Sequence, residues 1–155
     1  MTIESKKIRT RISTLLLLSI PFACAPAPRL YLQYSKEFRQ SDLEKILAES
    51  PLGTTENIRL TTLGQGQGVS HHVVQVRDRE APHLHKLHDG TVVMLKGQGY
   101  LIMENRRVEL AVGDVVYIPR GAVHYFVNSA SEPAVAFVVF SPPFDGEDTI
   151  PVKVP

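Results

Sequence analysis

Between residues 69 and 140 the chain is written in short β-prone runs, and this feature restricts its fold more than any other. "VSHHVVQVR", "TVVMLK", "YLIM", "VELAV", "VVYIP", "HYFVN" and "AVAFVVF" follow one another, parted by Gly, Pro, Asn or charged residues. β-Branched and aromatic side chains suit a pleated, half-buried surface, and the residues between them suit tight turns. No helix-length apolar pattern interrupts the series. Seven such runs at close spacing predict an antiparallel sandwich or barrel. Residues 58–63 read as a further strand ahead of a Gly-rich turn. Within residues 31–50 one short helix is expected: Ser41 or Asp42 caps it, Leu43, Ile46 and Leu47 form its apolar stripe, and Pro51 follows its end. A length of 155 residues corresponds to a single domain.

The first residues obey a different pattern. Lys6, Lys7, Arg9 and Arg11 stand against Glu4 alone, and an apolar run from Ile12 to Ile20 leads into "PFACAPAP". A basic segment, an apolar segment and small residues make the plan of an export signal, and the apolar run is too short to span a bilayer. Cys24, the single cysteine, has no internal disulfide partner. The segment resembles a bacterial lipoprotein signal, which implies lipidation of Cys24 and a membrane-anchored or periplasmic protein. Ordinary cleavage and retention of the segment are the alternatives. The expected organisation is a signal over 1–23, a tether and lead-in over 24–40, and one β-barrel domain over 41–155. Beyond residue 23 the chain carries 13 basic and 15 acidic residues, with no basic run. Nucleic acid is thereby excluded as the expected partner.

The chemistry concentrates in "APHLHKLHDG", residues 81–90. Residues two apart on a strand share a face, so His83 and His85 present two imidazoles side by side. A third ligand has to come from elsewhere, and His124 in "GDVVYIPRGAVHYFVN" supplies one if its strand lies opposite the pair. Histidines in such a set suit Fe, Zn, Cu, Ni or, with added oxygen ligands, Mn.

Two stretches, "PHLHKLHDGTVVMLKGQG" and "GDVVYIPRGAVHYFVN", resemble the two motifs of the cupin superfamily. The second is complete, with Gly113, Pro119, Gly121, His124 and Asn128 at the motif's spacing. The first has the His-x-His pair and the closing Gly97 but lacks the glutamate that cupins usually place after the pair. Counting back from Gly97 puts Gly90 in its place, whereas counting on from His85 allows Asp89, which shares parity with His83 and His85. His88 and a water-completed site are the other readings. The resemblance spans residues 66–141. It implies an all-β fold, a double-stranded β-helix or jelly-roll barrel, with a divalent metal ion inside on His83, His85 and His124 and with Asp89 as the candidate fourth ligand.

Two function classes follow from that resemblance. One is a metal-dependent enzyme, an oxygenase or isomerase acting on a small molecule. The other is a non-catalytic module binding a small ligand or metal at the cell envelope. A buried carboxylate beside the histidines in a roomy pocket favours the first, and a narrow apolar pocket favours the second. Cupins often dimerise, and residues 31–50 are the segment expected to serve a homodimer. The remaining candidates have plainer readings. His72 joins Val74 and Val76 on the apolar side of its strand as a core or pocket residue. Asp114 reads as a turn residue, Arg106 and Arg107 read as a solvated hairpin tip, and "GQGQG" lacks the strand and helix that a nucleotide loop needs.

Overall fold

The computed structural model describes residues 27–34 and 37–154. The signal segment and Cys24 lie outside the described residues. The first element is a hairpin of β1 (Arg29–Tyr34) and β2 (Glu37–Asp42), paired from Arg29↔Asp42 to Tyr34↔Glu37. Part of the stretch expected as tether and lead-in is therefore folded. Helix α1 (Leu43–Glu49) follows directly, and the Asp42 carboxylate caps it by accepting the Lys45 N–H at 2.8 Å.

Ten strands then build two antiparallel sheets. They are β3 (Ile58–Gln65), β4 (Ser70–Val76), β5 (His83–Leu84), β6 (Asp89–Lys96), β7 (Gln98–Met103), β8 (Arg106–Ala111), β9 (Val115–Ile118), β10 (His124–Asn128), β11 (Ala134–Ser141) and β12 (Ile150–Pro151). One sheet runs β3-β4-β11-β6-β9 and the other β12-β5-β10-β7-β8. The seven runs of the sequence are β4 and β6 to β11. The two-residue strands β5 and β12 are too short to register as periodicity, yet β5 carries the first site histidine. At the β6–β7 turn Gly97 has φ +81°, and a Cβ there would sit 3.0 Å from the Ala134 Cα. Both the backbone and the space therefore require glycine at the motif's closing position.

Val76, Met94, Leu101, Leu110, Ile118 and Phe126 form a buried apolar cluster that faces the space between the sheets. A second cluster lies on the outer face of the first sheet, where Val73, Leu63 and Val135 are covered by Leu43 and Ile46 of α1 and by Leu30 and Leu32 of the hairpin. Leu43 is 1% exposed, and full burial of a side chain that size stabilises by roughly 2 kcal/mol. Double coverage explains why β4 alternates only partly in sequence: both of its faces are buried. Leu30, Leu32, Leu43, Ile46 and Leu47 thus pack on their own barrel, with Tyr31 and Phe38 stacked and exposed on the hairpin's far side. No helix among the described residues is long and apolar enough to cross a membrane.

Candidate metal centre

Strand pairing brings the histidines together. β10 runs antiparallel to β5 with His124 directly opposite His83, and His85 lies two residues beyond on the same side. The ring centroids are 4.4 Å apart for His83 and His124, 5.1 Å for His83 and His85, and 5.4 Å for His85 and His124. One nitrogen from each ring lies within 4.8 Å of the others.

The backbone orients each ring in the same sense. His83 Nδ1 lies 2.8 Å from the Ala81 carbonyl oxygen and His124 Nδ1 3.0 Å from that of Ala122. His85 Nδ1 bonds the Asp148 carbonyl oxygen. A carbonyl only accepts, so each Nδ1 carries a proton and donates it, and in that tautomer the neutral ring keeps its lone pair on Nε2. Burial pushes His124 down to about 4 and lowers His85 as well. Both are therefore neutral near pH 7. Carbonyl-anchored imidazoles converging on one point form a donor set that fits a first-row divalent metal.

Asp89 is not part of this group. Its carboxylate faces Arg120, at 2.6 Å and 3.2 Å to the guanidinium and 2.9 Å to the backbone N–H. These bonds to Arg120 hold it down at about 2. The parity argument fails because β5 ends at Leu84 and the chain crosses to the other sheet before β6 begins. On β6 the inward position falls to Gly90, which lines the cavity. The place of the usual cupin glutamate is thus held by a residue with no side chain. Phe140 and Phe144, stacked at 4.5 Å, stand there instead, with edges toward His85 at 5.2 Å and 5.4 Å.

His88 also turns away. Its Nδ1 lies 2.7 Å from the Asp148 carboxylate and its Nε2 3.2 Å from the Pro143 carbonyl. Asp148, in the segment between β11 and β12, ties this loop. It accepts the Lys86 N–H at 3.0 Å, the Leu87 N–H at 2.7 Å and His88, while its own carbonyl holds His85. Burial opposes its charge, but the two N–H groups and His88 outweigh burial and hold it at about 2.

The carboxylate that does face the cavity is Glu80. Its Oε2 accepts the Phe126 N–H at 2.9 Å and its own N–H reaches the Phe126 carbonyl at 2.9 Å. Loss of hydration raises its pKa, opposed by His83. Sequence reasoning looked for an acid after the His-x-His pair; the acid three residues before it was the available signal. Glu80 and the triad line a cavity of about 400 Å³ between the sheets.

The family description "Cupin domain" matches residues 70–140. An uncharacterised protein of Aquifex aeolicus is 37% identical over 113 residues, which cover 73% of this chain and 92% of that one. The chain belongs to the cupin superfamily. Among solved structures this cupin is similar to TT1209 from Thermus thermophilus, with a TM-score of 0.59, 20% identity, and 67% and 97% of the two chains covered. It also resembles Streptomyces Pac13, described as a nucleoside dehydratase and also solved with uridine, at a TM-score of 0.54 and 21% identity over 63% and 79% of the two chains. At these identities the likeness concerns the fold.

Proposed function

We propose that this cupin is a metal-dependent enzyme acting on a small molecule inside the barrel, with a divalent ion held by His83, His85 and His124. One observation carries the reading: three carbonyl-anchored imidazoles, each with one ring nitrogen turned toward the others, share a cavity with the Glu80 carboxylate. Bound there, the ion would polarise an oxygen of the ligand as a Lewis acid. Glu80 is the proton-carrying group, because a carboxylate raised toward neutrality is matched to accepting and returning a proton. Phe126 fixes its position through two backbone bonds. Phe140 and Phe144 keep water from the His85 side. This combination favours isomerisation or elimination over oxygen chemistry. Pac13, a dehydratase in the same kind of barrel, is a precedent for the class and not for the substrate.

The test is elemental analysis of the purified full chain beside a His83→Ala/His85→Ala variant. Roughly one metal per chain is expected in the first and almost none in the second. Equal, near-zero metal in both would sink the proposal. Oxygen uptake with turnover would move the reaction to the oxygenase class. The apolar cavity wall supports the second reading, a non-catalytic binding module, and a metal-loaded protein that binds ligand without turning it over would establish it.

We also propose export with a lipid anchor at Cys24, supported by the basic, apolar and small-residue order of residues 1–25. Membrane association that persists in Cys24→Ala would rule the anchor out.

A further inference from the structure

The cavity has one polar end and hydrocarbon elsewhere. His83, His85, His124 and Glu80 supply the polar groups. Away from them Thr149 is the one hydrogen-bonding side chain in the described wall, which is otherwise built of residues such as Val74, Val92, Met94, Leu101, Phe126 and Ala136. Both sheets contribute, so the apolar lining is continuous around the barrel. It extends to the rim, where Ile58 and Leu60 of edge strand β3 line the cavity yet remain 37% and 40% exposed.

Such a wall discriminates strongly. A sugar or nucleoside placed here would set several hydroxyls against groups that neither donate nor accept. Each hydroxyl buried without a partner weakens binding by about tenfold. A hydrocarbon body of the same size gains from leaving water instead. We infer that the ligand of this site is a mostly apolar molecule with a single oxygen-bearing end, the end lodged between the histidines and Glu80 and the hydrocarbon body lying along the barrel. The placement of the oxygen-bearing end rests on the function proposed above; the apolar body does not. The volume of about 400 Å³ suits a compact molecule of this kind.

Calorimetric titration of the full chain tests this with two homologous series. Straight-chain 2-alkanones from four to ten carbons are titrated into metal-free protein, and alkyl hydroxamic acids of the same lengths into zinc-loaded protein. Uridine and galacturonate serve as polyhydroxylated comparisons in both. Affinity in the ketone series should rise by about fourfold per methylene until the cavity is full. The hydroxamates should show the same slope at higher affinity, and the polyhydroxylated compounds should bind at least about tenfold more weakly than the best chain. In Ala136→Leu, which adds bulk to the wall, the plateau should move to shorter chains. The wild-type series decides alone if that variant does not fold. Affinity independent of chain length in the ketones, or uridine or galacturonate binding as tightly as the best chain, would overturn the inference. Hydroxamates no tighter than ketones, with the ketone slope intact, would overturn the metal proposal and uphold the apolar ligand.

Discussion

Five of the six histidines divide into two groups by the bonds their rings make. His83, His85 and His124 each spend Nδ1 on a backbone carbonyl and keep Nε2 for the cavity. His72 and His88 spend both nitrogens. His72 is fully buried between the Thr62 hydroxyl at 3.2 Å and the Ser70 hydroxyl at 2.7 Å, and His88 lies between Asp148 and the Pro143 carbonyl. One residue type at similar burial thus serves two purposes. A ring whose hydrogen-bonding capacity is used up holds the fold together, whereas a ring with one lone pair left over, beside two others like it, is available to a ligand.

The sharpest way to break this distinction is to remove one ring from each group. His124→Ala should abolish metal retention in elemental analysis while the protein stays folded. His72→Ala should keep its metal and lose about 3 kcal/mol of stability in urea unfolding, because it opens a cavity and takes one buried partner from each of the Thr62 and Ser70 hydroxyls. A reversed result would dissolve the comparison. Next in size is Glu80→Gln, which keeps the acceptor for Phe126 N–H but cannot accept a proton. Turnover should fall by about 10²- to 10⁴-fold with metal content unchanged. An unaltered rate would remove Glu80 from the chemistry.

Asp148→Asn sharpens the boundary between the groups, since Asp148 holds His88 by its side chain and His85 by its backbone. Metal affinity should weaken by about 10- to 100-fold in competition with a chelator. No change would mean that the backbone bond alone orients His85. A smaller effect concerns pH. Burial holds His72 down to about 4, below the ordinary 6.5, so the unfolded ring binds protons first as pH falls. Its contribution to stability is complete above about 6.5 and is lost as pH drops toward 4. Metal-free protein should therefore lose stability across that window, and His72→Gln should lose less of it. The smallest effect is expected from Asp89→Asn: the Arg120 pair is partly exposed, so metal content should not change. Loss of metal in that variant would restore Asp89 to the site.

Much of the barrel could be read in the chain because strand periodicity and turn residues are local signals. The seven β runs became β4 and β6 to β11, and the Asp42 cap and Leu43/Ile46 stripe of α1 are where the side-chain chemistry places them. The hairpin at Arg29–Asp42 escaped notice because its alternation is short and sits beside a Pro/Ala stretch. The segment after β11 gave no local signal for a related reason. Its two-residue strand β12 has no pattern of its own and exists only through pairing with β5.

By itself the sequence determined that His83 and His85 would share a face, and its second motif pointed to His124, which the pairing of β10 with β5 then set opposite them. Two-residue spacing sets a common face, and the Gly, Pro and Asn positions of the second motif set the turn that delivers His124. Which carboxylate joins them was decided only in the tertiary structure. Parity holds within a strand and ends when the chain changes sheets, so Asp89 turned out to Arg120 and Gly90 turned in. Glu80 gained its place through bonds to Phe126, forty-six residues away. Asp148 reached the loop it ties from sixty residues beyond it. Contacts over such separations depend on how two sheets pack, and no local pattern in the chain encodes that.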